Sequence, residues 1–470
     1  MKILPISSLP VCFTKIVKLI ETTTLNRANQ RHALHYLVNS LDNLPTPIVE
    51  KLNHYLQAPT AQQYPHTDAH MRLLLALNHK LKPHIKISQL LALRQKFATE
   101  LVALQSPTVW HQTGANDKTL FTTHKNKCPI NIYKNFRYLY FRNLNPKPTT
   151  LTPKTHTVRW QDKLIANADG GDMRIRCYEL VAANGHNRDA QNPDQAVMLF
   201  FHGGGFCMGD VNTHHEFCHS ICAQTGWAIV SIDYRLAPEH PAPTAIRDCL
   251  EAYIWLAAHA HTLNASSSRI VLAGDSSGGG LAALVAQQVS HAAVMHSANQ
   301  QSDRLEDDDE LSRDIFQQLQ NLPLPLAQLL LYPITDIGTD YPSWKLYGQG
   351  LILDYNDVQV FHAAYLQECS LTQPHALLSP MNGDNTHLCP SYIIVAELDM
   401  LHDEALVYAE QLRHYGIKVQ THTVLGAPHG FINLMSVHQG MGRETLGIIH
   451  NFAKFVQQII RTEAQPLPYQ

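Results

Sequence analysis

Hydrophobic positions along the chain follow two rhythms, and the change between them falls near residue 150. Up to about residue 105 the apolar residues recur at helical spacing. Leu34, Leu37, Val38 and Leu41 make one stripe, and Leu73, Leu74, Leu75 and Leu77 a second cluster. A third helix is predicted from Ser88 to about Leu104, with Leu90, Leu91, Leu93, Phe97 and Leu101 inward. Beyond a Pro/Thr-rich hinge at 146–153, short apolar runs alternate with helix-length stretches. VMLFF at 197–201, WAIVSIDY at 227–234, RIVLAGD at 269–275, QLLLYP at 328–333, YIIVAE at 392–397 and KVQTHTV at 418–424 read as strands. Stretches near 214–225, 244–261, 277–292, 356–367 and 403–415 read as the helices between them. Strands that are apolar throughout are buried on both faces, so the pattern predicts an α/β domain with a mostly parallel sheet flanked by helices. Sites in such sheets form where strands end at their carboxyl edge.

Two segments break the pattern. Residues 296–322 are polar and include the acidic run Asp307 to Glu310, which predicts a solvated insertion between a helix and the next strand. In INIYKNFRYLYF at 131–142, aromatics interleave with Lys134, Arg137 and Arg142. Such a segment can stack on single-stranded nucleic acid or lie at a membrane interface. We prefer a packed strand or helix with its cations outward.

Composition narrows the class. A chain of 470 residues with 45% hydrophobic content can bury a substantial core as one large domain or two. No run of eighteen apolar residues occurs and mean hydropathy is −0.18, so we expect a soluble, cytoplasmic protein. The opening MKILPISSLPVCFTKIVKLI carries Lys15 and Lys18 inside its apolar run and is read as part of the protein, not a secretory signal. Nine scattered cysteines with no C-x-x-C pair suggest buried, reduced thiols. The net charge of −3 hides a division, because residues 1–150 hold 19 Lys and Arg against 6 Asp and Glu. That excess reads either as a surface for a membrane or nucleic acid, or as a basic half docked on an acidic one. We adopt the docked reading, expect no nucleic-acid partner, and keep peripheral membrane association as the alternative.

The strongest chemical signal is Gly274-Asp275-Ser276-Ser277-Gly278-Gly279, set directly between the strand RIVLAGD and an apolar helix. In that context it is a nucleophile elbow: the glycines allow a sharp turn that presents the Ser276 hydroxyl at the sheet edge. The Ser277 N–H then lies near the developing oxyanion. His202-Gly203-Gly204-Gly205-Phe206 follows an earlier strand, and its glycines leave backbone N–H groups unobstructed. Gly203, Gly204 and Ser277 are therefore the candidate oxyanion donors. A serine nucleophile needs a base and the base an orienting acid. His429 lies just past KVQTHTV and Asp399 just past YIIVAE, so both reach the carboxyl edge that carries Ser276, with Asp403 the rival acid. The chain order Ser, Asp, His is that of an α/β-hydrolase. His215-Glu216-Phe217-Cys218-His219 matches the H-E-x-x-H spacing of zinc peptidases, but no third ligand consensus follows, and we read it as the next helix of the sheet domain.

Taken together these motifs resemble the hormone-sensitive-lipase-like α/β-hydrolases, the group of many bacterial carboxylesterases. The matching residues are the block at 202–206, Asp233 to Pro241, the elbow at 274–279, Tyr332-Pro333, Asp399 to Glu404, and His429-Gly430-Phe431. All occur in family order over roughly residues 155–460. The resemblance implies a serine carboxylesterase that uses no cofactor and acts on small-molecule esters of short to medium acyl chain. A lipase, amidase or acyltransferase would use the same triad. It also implies a catalytic domain over 151–470 and a cap, built from the helical extension at 1–150 and a later segment near 336–368. Asp233, Arg235, Glu239 and His240 are expected to hold their loop together and not to take part in the reaction.

Overall fold

Each apolar run folds as the strand its pattern predicts, because its alternate side chains find cover on opposite faces. In the computed structural model the described residues are 39, 41–82, 85–110, 156–182, 195–297, 313–369, 371 and 373–463. In chain order they form α1 (Thr46–Leu56), α2 (Ala69–Leu81), α3 (Leu90–Leu104), β1 (His156–Ala166), β2 (Asp172–Ala182), β3 (Val197–Phe201), α4 (His215–Thr225), β4 (Ala228–Ile232), α5 (Thr244–His259), β5 (Ile270–Asp275), α6 (Ser277–Ser297) and α7 (Arg313–Leu319). There follow β6 (Ala327–Leu331), α8 (Pro342–Tyr347), α9 (Tyr355–Tyr365), β7 (Ser391–Leu398), α10 (His402–His414), β8 (Val419–Pro428) and α11 (Gln439–Glu463). These described strands make one eight-stranded sheet in the order β1-β2-β4-β3-β5-β6-β7-β8. The pairings of β1 with β2 and of β2 with β4 are antiparallel, and the remainder are parallel.

The period of two sorts each strand between two cores. Val197, Leu199 and Phe201 face one core with Leu272 and Val395, which α5, α6 and α10 cover through Leu250, Leu284 and Tyr408. Met198 and Phe200 face the other with Val271 and Ile394, covered by α4 and α11 through Phe217, Phe452 and Val456. Each such side chain contributes roughly 1.5–3 kcal/mol by leaving water. After β3 the chain moves outward to β4 and then returns to place β5 on the opposite side of β3. Loops leaving β3 and β5 therefore diverge and open a crevice at their carboxyl ends. Position for a site follows from topology alone.

Several expectations need correction. Residues 313–319 of the supposed solvated insertion form α7, with Ile315, Phe316 and Leu319 buried against the core. Leu91 is exposed; Leu90, Val102 and Ala103 are the buried residues of α3. The strand pair β1–β2 and the long helix α11 were not anticipated. The aromatic–cationic segment at 131–142, the acidic run at 307–310, the opening twenty residues and the stripe at Leu34–Val38 lie outside the described residues. The described cysteines Cys177, Cys207, Cys218, Cys222, Cys249 and Cys389 are free and buried, and Cys369 is half-buried. Among the described residues no helix is long and apolar enough to cross a membrane.

Candidate active site

The turn after β5 is forced into shape by contacts that exclude side chains. A Cβ on Gly274 would sit 2.1 Å from the Gly278 carbonyl oxygen, and one on Gly278 would sit 2.0 Å from that of Phe201. Between them Ser276 adopts a left-handed backbone with φ of 56°, a conformation that costs a non-glycine residue about 1–2 kcal/mol. Its backbone is held in return: the Ser276 N–H donates to the Leu331 carbonyl at 2.9 Å, and the Ser276 carbonyl accepts from Gly280 and Ile334, both at 3.1 Å.

The hydroxyl thus presented meets His429, which follows β8. Ser276 Oγ lies 2.8 Å from His429 Nε2. On the other side of the ring, Nδ1 is 2.6 Å from Asp399 Oδ2. Asp399 follows β7, is 1% exposed, and its second oxygen accepts the Leu401 N–H at 3.0 Å. The carboxylate thereby fixes the tautomer with Nδ1 protonated, leaving Nε2 free to take a proton from Ser276. Asp403, the rival acid, is spent elsewhere, accepting from the Ser343 N–H and pairing with His402, each at 2.9 Å. All three predicted residues therefore meet at one edge of the sheet.

The glycine loop after β3 departs from expectation at one position. The Gly203 N–H donates at 2.8 Å to Oδ1 of Asp275, a carboxylate that is 3% exposed. An N–H committed to a buried anion is not offered to a substrate, so Gly203 is corrected from oxyanion donor to anchor of the loop. Among the described residues, no protein acceptor meets the N–H of Gly204 or Gly205. These two glycines have φ of 134° and 61°, and a Cβ on Gly205 would lie 2.4 Å from the Phe361 ring. Gly204, Gly205, Ser276, Ser277 and His429 all line one cavity. Sequence reading missed Gly205 because nothing in three adjacent glycines says which N–H is already taken.

Behind the loop lies a buried polar cluster. Asp275 also faces His214 Nε2 at 3.1 Å and accepts from the Tyr332 hydroxyl at 3.4 Å. Burial pushes its carboxyl up, but His214 and the Gly203 N–H outweigh burial and hold it below the usual carboxylate range. His202 stacks on Tyr234 with ring centroids 4.4 Å apart, and its Nδ1 lies 2.9 Å from the Gly203 carbonyl. Burial, with His214 beside it, pushes His202 down to about 4, so it is neutral near pH 7 and donates to that carbonyl. The loop at 233–240 is structural, as expected. Asp233 accepts the Val211 N–H at 2.6 Å and Arg174 Nε at 2.5 Å, while Arg235 binds both oxygens of Asp248 at 2.9 and 2.8 Å.

The H-E-x-x-H segment does begin helix α4, but its groups are committed to the protein. His215 uses Nε2 on the Val109 carbonyl and Nδ1 on the Tyr178 hydroxyl, both at 3.0 Å, and stacks on Trp110. Glu216 accepts from the Ser106 N–H and the Ser436 hydroxyl. A zinc ion would have to displace these contacts. The fully buried ring of His215 points into a core and away from any crevice.

The cavity over Ser276 has a volume of about 1010 Å³. Its lining includes Leu74 and Leu77 of α2, Phe97 and Leu101 of α3, and Val358 and Phe361 of α9. Helix α2 is tied to the segment leading into α9 by Lys82, whose Nζ donates to the Ile352 carbonyl and pairs with Asp354 and Asp357.

A sheet in this order, with Ser276 after β5, Asp399 after β7 and His429 after β8, is that of an α/β-hydrolase. Residues 198–433 match the alpha/beta hydrolase fold family. Over 464 residues the chain is 52% identical to Lipase 2 of Moraxella sp. strain TA144, covering 98% of each. It is 29% identical over 281 residues to the ethyl acetate hydrolase of Pseudomonas putida, covering 59% of this chain and 76% of that one. Among solved structures, an esterase from Pyrobaculum calidifontis aligns with a TM-score of 0.51 and 28% identity, over 63% of this chain and 85% of that one. The chain belongs to the alpha/beta hydrolase fold family, in its hormone-sensitive-lipase-like group.

Proposed function

We propose that the protein is a serine carboxylesterase that cleaves esters through an acyl-enzyme. The observation that carries this reading is the continuous relay from Ser276 Oγ through His429 to the buried Asp399, at 2.8 and 2.6 Å, opening on a mostly apolar cavity. Ser276 Oγ attacks the ester carbonyl carbon while His429 Nε2 takes its proton, and Asp399 stabilises the imidazolium that forms. The carbonyl oxygen becomes an oxyanion held by the N–H groups of Gly204, Gly205 and Ser277. As the carbon–alkoxy bond breaks, His429 returns the proton to the departing alcohol. Water then enters, loses a proton to His429 and attacks the acyl group. The second tetrahedral state collapses to release the acid, and Ser276 regains its proton.

The names of the relatives support an ester substrate over an amide, and the cavity supports an apolar acyl chain. Its volume stands at the upper end of the roughly 300–1,000 Å³ usual for small-molecule sites, so acyl chains beyond acetyl fit without reshaping the lining. Turnover of p-nitrophenyl esters from acetate to laurate by wild type and Ser276→Ala tests the reading. Wild type should hydrolyse the series, with Ser276→Ala slower by at least about 10³-fold. Equal rates in the two proteins would overturn it. Peripheral membrane association through the basic N-terminal part is carried by charge alone. Co-sedimentation with anionic and neutral vesicles tests it, with salt-sensitive binding to the anionic ones as the expected result.

A further inference from the structure

The N-terminal helices also reach the loop that carries the oxyanion donors. From α3, Arg94 donates through Nε to the Cys207 carbonyl at 2.7 Å and through Nη2 to the Ala237 carbonyl at 2.6 Å. Its Nη1 and Nη2 also hold the two oxygens of Glu239, each at 2.8 Å. Cys207 belongs to the tight turn that starts at Gly204, whose carbonyl accepts the Cys207 and Met208 N–H groups at 3.1 and 2.9 Å. Ala237 is bonded to the same turn, since its N–H donates to the Phe206 carbonyl at 2.9 Å. The loop is thus gripped at two points. Asp275 of the elbow holds its start through Gly203, and Arg94 holds its end.

Chemistry of the guanidinium suits this task. Its planar fork meets two carbonyls and a carboxylate at fixed angles, which the single ammonium of a lysine cannot do. The pair with Glu239 alone would count for little, because Glu239 is 40% exposed and such pairs are screened by water. The two backbone carbonyls are what a side chain on a separate helix has no local reason to seek.

We propose that Arg94 is a positioning residue, which fixes the Gly204 and Gly205 N–H groups against Ser276, so that docking of α3 completes the oxyanion site. The proposal rests on the serine-esterase reading. It assigns the N-terminal extension a part in turnover as well as in lining the cavity. Donors that act only on developing charge change the transition state and leave substrate binding alone. Loss of Arg94 should therefore appear in kcat and not in KM.

The test uses the full chain with p-nitrophenyl acetate, whose acyl group barely engages the cavity lining. Arg94→Ala should lower kcat at least tenfold with KM changed less than threefold. Affinity for an aryl trifluoromethyl ketone, which forms a hemiketal oxyanion on Ser276, should fall by a similar factor. Arg94→Lys should recover only part of kcat, whereas Glu239→Gln, which spares both carbonyl bonds, should stay within threefold of wild type. Thermal melting monitors folding, and if Arg94→Ala does not fold, Arg94→Lys carries the test with a loss of at least threefold in kcat at unchanged KM. Wild-type kcat in the folded Arg94 variants, a rise in KM alone, or a loss in Glu239→Gln equal to that in Arg94→Ala would overturn the proposal. Failure of the esterase reading looks different: wild type would show no activity that Ser276→Ala removes.

Discussion

At the scale of single residues, the site is built from positions where one atom more or less changes the outcome. Gly278 touches the Phe201 carbonyl so closely that a methyl group there would lie 2.0 Å from its oxygen. Gly278→Ala should destabilise the fold by about 2–3 kcal/mol or more, read as a shifted urea midpoint, and should displace Ser276 in whatever folds. Asp399→Asn makes the opposite kind of change, keeping the shape but removing the charge that orders His429. Turnover should fall by roughly 10³–10⁴ with melting little altered, the pattern expected when a triad histidine loses its tautomer. His362 gives a clean dependence on pH. Its Nε2 is buried with no hydrogen-bond partner, and burial pushes the ring down to about 4. The unfolded chain binds a proton near pH 6.5, and the folded one does not until about 4. His362 therefore costs stability progressively as pH falls through that window. Compared with His362→Phe, wild type should lose on the order of 1–2 kcal/mol between pH 7 and pH 5. A difference that stays constant over that range would contradict the assignment.

At the scale of elements, legibility followed the strength of the local pattern. Strands β3 to β7 were readable as largely apolar, buried runs, whereas β8 is polar and only partly buried. The Ser–Asp–His order was readable because Ser276, Asp399 and His429 each follow a strand. Strands β1 and β2 were not, and in β2 Arg176 interrupts the alternation while lying 3% exposed. It is paired with Asp162 and Asn212 and stacked 4.3 Å over Trp160, contacts supplied from outside its own strand. Helix α11 was not read from the sequence, although Ile448, Phe452, Phe455, Val456 and Ile459, all buried, recur there at helical spacing. The commitment of Gly203 to Asp275 and the grip of Arg94 on Cys207 join residues 72 and 113 apart in sequence, and no local pattern encodes such pairings. The end of α2 and the segment leading into α9 depend on a similar long-range tie. Lys82 stands between Asp354 and Asp357 with only 15% of its side chain exposed. Lys82→Ala would leave two carboxylates facing each other, and should lower stability by about 1–3 kcal/mol, measured by urea unfolding. Protease cleavage between α2 and α3 should also quicken, as this tie is lost.

At the scale of the molecule, the extension and the hydrolase domain share their cores and their charges. Leu90 belongs to one face of the sheet domain, and Met71 and Leu75 to the other. Arg94 pairs with Glu239 and Lys82 with Asp354, so part of the basic excess before residue 150 is met by acidic residues after it. A chain lacking residues 1–105 would expose the apolar wall of the cavity, and size-exclusion chromatography should show it aggregating where the full chain does not. The proposed chemistry is more local and belongs to one serine activated by one histidine. Its most direct test is mass spectrometry of the protein treated with a p-nitrophenyl phosphonate, with residual esterase activity followed in parallel. The account predicts one phosphonyl adduct, on Ser276, rising in step with loss of activity and absent from Ser276→Ala. Full activity in protein fully labelled at Ser276, or hydrolysis at the wild-type rate by Ser276→Ala, would contradict it.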